Sequence, residues 1–256
     1  MKKKLLALAG ILIMSFSMFG CSDAAGQALE DYLISEFGEW ASEYLEGIAE
    51  ADVANIDTSA RVSPSDIPEY DGVPFAEVNR GQPNFTEADL IPESYEYYGE
   101  LDYLGRCTVA EACVGQDLMP TEKRGNIGSV KPTGWVVAKY DFVDGKYLYN
   151  RCHLVGYQLS GENANRGNLI TGTRYMNVDG MLPFENMIAD YVKETGNHVM
   201  YRVTPIFEGD NLVALGVQME AKSIEDNGEA ICFNVFVYNV QPNVIIDYAT
   251  GESYEE

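Results

Sequence analysis

Only two histidines, His153 and His198, occur in the 256 residues of this chain, which excludes a zinc centre built on three imidazoles. The repeated CxxC spacing of a structural zinc knot is also missing. Leu5 to Phe19, the apolar run near the N-terminus, is short for a membrane span. Internal repeats are absent. Basic residues are scarce: 17 Lys and Arg stand against 40 Asp and Glu, a formal net charge of −23. Taken as a bulk figure, that deficit opposes a polyanionic partner, because phosphate backbones favour basic surfaces.

The first residues are an address. Lys2 to Lys4 form a basic n-region ahead of the apolar stretch, which ends at Gly20-Cys21. A small residue followed by cysteine there is similar to a lipoprotein processing site, with Cys21 as the lipidated first residue. Lipid anchoring and free secretion both stay open, and either way the protein is expected outside the cell. Residues 1–21 are therefore read as a signal peptide. Four cysteines remain, Cys107, Cys113, Cys152 and Cys232. In an exported protein they allow three pairings, and free buried thiols are equally compatible with the sequence.

Charge is unevenly distributed. Cys21 to Gly105 carries 20 acids and only Arg61 and Arg80. Arg106 to Arg174 reverses this, with nine Lys and Arg against six acids. A Debye length of about 10 Å at moderate salt hides distant charge, so a locally basic segment can still bind an anion.

Residues 27–50 place Leu29, Tyr32, Leu33, Phe37, Trp40, Tyr44, Leu45 and Ile48 at spacings of three and four, an amphipathic helix pattern. Residues 51–75 hold three prolines without a period and read as a linker. Residues 22–66 thus form a helix-and-linker segment, and the main domain is expected over residues 67–256. Its second half is rich in strand signals. Asp144-Gly145 lies between apolar runs and predicts a hairpin. "HVMYRVTPIF", "LVALGVQMEAKS" and "AICFNVFVYNVQP" read as strands. "LPFENMIADYVKETG" reads as a helix, with Pro183 suited to its first turn and Gly196 to its C-terminal cap. Antiparallel strands with an inserted helix give an α+β fold with a central antiparallel sheet.

The chemistry gathers around "YNRCHLVGYQLSG". A Cys152–His153 nucleophilic pair is disfavoured, because neighbours on an extended segment point to opposite faces. Arg151 and His153 share a face instead. Downstream come Asn163, Asn165, Asn168 and Asn177, then Glu185. An amide oxygen and water suit a hard cation such as Mg²⁺. Arginine, histidine, asparagine and glutamate in this order are the parts required for metal-assisted phosphodiester hydrolysis.

The stretches "YNRCHLVGYQLSG", "GNLITGTRYMNV" and "FEN", with "MPTEKRGNIGSVKPTGW" upstream, resemble the DNA/RNA non-specific endonuclease family, in its branch of secreted and DNA-entry nucleases. The resemblance covers roughly Ile67 to Tyr248. It implies a ββα-metal finger inserted in the sheet and cleavage of DNA, with RNA as a further candidate, using one Mg²⁺ or Mn²⁺. By position it makes His153 the general base and Asn177 the metal ligand. Glu185 would hold the metal's water shell, Asn168 would support the site, and Arg151 would complement the phosphate. Lys123, Arg124 and Lys131 are candidate phosphate contacts. Arg174 is either another contact or the partner of a local acid. The family's Asp-Arg-Gly-His appears here as Asn150-Arg151-Cys152-His153, which removes a charge and adds a side chain. The main alternative is a surface lipoprotein that captures nucleic acid without cutting it.

Overall fold

The computed structural model describes residues 62–256. The leader with Cys21 and the helix expected over residues 27–50 lie outside the described residues. The architecture is α+β, built on a six-stranded antiparallel sheet in the order β1-β8-β7-β6-β3-β2. Its strands are β1 (Phe75–Glu77), β2 (Tyr95–Tyr98), β3 (Ala110–Val114), β6 (Val199–Ile206), β7 (Gly216–Ser223) and β8 (Cys232–Tyr238). Between β3 and β6 the chain leaves the sheet to form a second unit. That unit holds the antiparallel pair β4 (Tyr149–His153) and β5 (Leu169–Thr173), the short helix α1 (Tyr157–Ser160) and the long helix α2 (Leu182–Thr195). It returns where it left, since Val114 and Val199 are register partners. A small pair, β9 (Val244–Ile246) and β10 (Ser253–Glu255), follows the sheet.

The alternation of the central strands divides the sheet into two faces. Val199, Tyr201 and Val203 of β6, Val217, Met219 and Ala221 of β7, and Phe233, Val235 and Val237 of β8 all join the main core. Helix α2 lies on that face. Phe184, Ile188 and Val192 supply its apolar stripe, and Phe184 meets Phe75 edge-on with centroids 4.9 Å apart. Pro183 sits in its first turn, and Gly196, at φ 76°, ends it by donating its N–H to the Val192 carbonyl.

The opposite face combines a second apolar cluster, Ile206, Phe236 and Tyr238 with Val62, Ala76 and Val78, with buried hydrogen-bonded polar groups. Arg202 Nε donates to Glu220 Oε2 at 3.0 Å, and Gln218 Nε2 donates to Asn234 Oδ1 at 2.9 Å. The N-terminal segment covers these groups, with the Val62 N–H on Gln218 and Phe85 under the Arg202 guanidinium.

The chain reverses near Asp144-Gly145 as expected, but regular strands do not flank the turn. Only Lys139 and Tyr147 form a bridge there. Val137 is 70% exposed, so Val136 to Ala138 line an open cleft where a paired strand would have buried them. Cys107, Cys113 and Cys152 are buried free thiols.

Candidate active site

A cleft of about 570 Å³ opens beside the β4–β5 unit. Of the residues proposed from sequence, it brings together Arg124, Arg151, His153, Arg174, Asn177 and Glu185, with Asn150 and Gly156 beside them. Three guanidinium groups and a single carboxylate line it, so the cleft is cationic within an acidic protein. Trp135, Val136, Val137 and Tyr147 form an apolar rim.

His153 ends β4 and is 6% exposed. Its Nε2 lies 2.8 Å from the Asn163 carbonyl oxygen. A carbonyl only accepts, so Nε2 carries the proton and Nδ1 keeps the lone pair. Burial lowers its pKa from the ordinary 6.5, and the charge of Arg124 acts in the same direction. The ring is therefore neutral near pH 7, in the form that accepts a proton. Cys152 points the other way, into the core with Ile170 and Met176. A Cβ on Gly172 would collide with its Sγ, so this glycine makes the room that Cys152 fills. Burial raises the thiol pKa far above its usual value.

Arg151 projects on the His153 face, as the alternation requires. Its Nε donates to the Val130 carbonyl and its Nη2 to the Gly128 carbonyl at 3.0 Å. The guanidinium lies 4.0 Å from the centroid of the Trp135 ring. It thus fastens the loop 123–135 to β4. Arg174 pairs with Asp144, Nη2 to Oδ2 at 2.8 Å, across a partly exposed surface. Lys123 and Lys131 are exposed and lie outside the cleft lining.

Asn168 is wholly buried and also outside the lining. Its Nδ2 donates to the Val155 carbonyl at 2.9 Å, and its Oδ1 accepts from the Val155 N–H at 2.8 Å. This two-point clasp holds the chain immediately after His153.

Asn177 and Glu185 owe their common side of the helix to a local irregularity. Residues eight apart on a regular α-helix are out of line by about 80°. Met176–Met181 instead form a π-helical turn, in which the Leu182 N–H donates to the Asn177 carbonyl five residues back. The wider turn absorbs one residue, so Asn177 and Glu185 behave as if seven apart, and both reach the cleft. Glu185 is buried, and burial pushes its carboxyl up to about 8, against the Gly156 N–H and the Arg124 charge. A Cβ on Gly156 would sit 2.6 Å from Glu185 Oε2. Its φ is −59°, so glycine is needed there for space rather than for backbone conformation.

Several contributors carry no sequence signal. The Asn163 carbonyl is a backbone atom, and Gly156 belongs to no recognised spacing. Asn239, wholly buried, donates to the Thr171 and Ala214 carbonyls at 3.0 Å and accepts from the Thr173 N–H at 2.9 Å, tying β5 to the main sheet. Its partners are 25 to 68 residues away.

Comparison with known proteins identifies the fold and the family. The chain is similar to NucA from Streptococcus agalactiae with magnesium ion bound, at 28% identity over 70% of this chain and 86% of that chain, with TM-score 0.62. The same nuclease with no metal bound matches at 27% identity over 76% and 92% of the two chains, with TM-score 0.64. Sda1 nuclease with bound zinc ion shares the fold at 24% identity over 72% and 97%, with TM-score 0.60. The family model for DNA/RNA non-specific endonuclease matches residues 85–225. That span runs from before β2 through the whole β4–β5–α2 unit into the segment after β7, and the chain therefore belongs to the DNA/RNA non-specific endonuclease family.

Proposed function

We propose that the protein is an exported endonuclease that hydrolyses DNA in this cleft, with RNA as a second substrate, and that His153 is its general base. The observation that carries the reading is the fixed tautomer of His153, whose lone pair belongs to a neutral ring in a cleft lined by three arginines. Nδ1 takes a proton from the water that attacks the phosphorus, a step typically worth about 10²–10⁴-fold in rate. Arg124 and Arg174 stand where a phosphate's charge would be complemented. Arg151 acts by positioning the loop that carries Arg124, and Asn168 by holding the backbone behind the base. Lys123 and Lys131 contact phosphates farther along the strand.

The donor set fits a hard divalent cation. Glu185 offers a buried carboxyl whose pKa burial raises, and a cation beside it would favour its ionised form. Asn150 Nδ2 is buried without a hydrogen-bond partner, and turning that amide presents an acceptor oxygen instead. Asn177 would hold Mg²⁺ or Mn²⁺ directly, with Glu185 and Asn150 holding its waters. The bound ion supplies charge stabilisation to the phosphate and to the leaving oxygen. The magnesium recorded in NucA supports this choice. The leader supports an extracellular location, with a lipid on Cys21 or free release as its two forms.

Purified His153→Ala is expected to lose cleavage of plasmid DNA by about 10²–10⁴-fold while still binding DNA in EDTA. Full Mg²⁺-dependent cleavage by that variant would sink the mechanism.

A further inference from the structure

The lone pair on His153 is not free in the resting protein. Arg124 Nη2 lies 3.2 Å from Nδ1, and a guanidinium nitrogen only donates. The base's acceptor atom is thus occupied by a donor from the chain itself. Arg124 also differs from the other arginines of the cleft. Arg151 is fastened to two carbonyls and Arg174 to Asp144. Arg124 is exposed and makes no ion pair among the described residues. Its loop is pressed against the segment that fixes the ring, since a Cβ on Gly125 would collide with the Asn163 amide.

We propose that Arg124 is a displaceable cover on the general base: its guanidinium occupies Nδ1 until a phosphodiester oxyanion draws it away, so that the base is uncovered as substrate arrives. The inference deepens the reading of His153 as the base and rests on it. The exchange is favourable on general grounds, because a phosphate oxyanion adds charge–charge attraction and can accept two parallel guanidinium N–H bonds, where a neutral imidazole nitrogen accepts one. It moves no covalent bond. While in place, Arg124 also opposes protonation of the ring, whereas the nearby carboxylate of Glu162 favours it. Arg151, Arg174 and Glu185 line the same cleft as the ring.

The test reads the hydrogen bond directly and without turnover. Uniformly ¹⁵N-labelled protein in EDTA should show a through-hydrogen-bond nitrogen–nitrogen coupling between Arg124 Nη2 and His153 Nδ1. With two histidines in the chain, His198→Asn completes the assignment. Saturation with a short oligodeoxynucleotide, still in EDTA, should abolish the coupling. Arg124→Ala should lack it from the start, raise KM, and move the acid limb of the kcat/KM profile, which reports the free enzyme, to higher pH. A free protein without the coupling would overturn the proposal, as would a coupling that persists at saturation or an acid limb unmoved in Arg124→Ala. Failure of the underlying reading has a different signature, namely undiminished cleavage by His153→Ala.

Discussion

At the scale of single residues, the site depends on small distances and on one proton. Gly156 is the sharpest case. Its α-hydrogen side faces the Glu185 carboxylate, which a methyl group there would push aside. Gly156→Ala should lower kcat by about 10²-fold, the cost of misplacing a group by an ångström. Thermal unfolding, read beside the kinetics, should change far less than activity. His153 gives a prediction whose sign follows from its burial. In the proposed role the ring works unprotonated, and its folded pKa is lowered from 6.5. The acid limb of kcat/KM should therefore lie below pH 6.5, with rate rising as pH rises through it. The same shift makes the folded state bind fewer protons than the unfolded one. Its contribution to stability is thus present above pH 6.5 and lost as pH falls through the folded pKa. In His153→Gln, melting temperature against pH should be flatter in that window.

Among elements, helix α2 was the most legible from sequence and the hairpin at Asp144-Gly145 the least. Pro183, the apolar spacing and Gly196 are local signals, and all three lie within the helix they define or directly at its end. The hairpin signal was also local, but Val136 to Ala138 had to choose between a neighbouring strand and the cleft wall, a tertiary choice. Opposite faces for Cys152 and His153 followed from strand geometry alone. The compensating Gly172 did not, because cross-strand volume has no spacing rule. The π-helical turn was invisible for a similar reason: it appears only once both Asn177 and α2 are tied to the same cleft. It makes an element-scale prediction. One alanine inserted after Asp179 should swing Asn177 about 100° around the axis, since α2 is held by its own core contacts. Helical circular dichroism should persist, while cleavage and Mn²⁺ binding by calorimetry fall sharply. Removing Val178 leaves the pair seven apart on a regular helix, so it should be the milder change. The reverse order would show that the turn does not set the alignment.

For the whole molecule, bulk charge and local charge oppose each other. The net charge of −23 repels a polyanion at long range, while the cleft attracts it at short range. The Debye length shrinks from about 30 Å at 0.01 M salt to about 10 Å at 0.1 M. Added salt should first relieve the repulsion and only later weaken the contacts. kcat/KM on duplex DNA should therefore pass through a maximum as ionic strength rises, and a monotonic fall from the lowest salt would contradict this balance. The sheet topology has its own consequence at this scale. The chain departs after Val114 and returns at Val199, and those two residues are already neighbours in the sheet. The excursion between them can change in length or content without breaking a single rung of the main ladder. It also roofs the apolar face below, so scaffold and catalyst shelter each other. New chemistry could be grafted into such a cassette, but cutting it out would leave a sheet that aggregates.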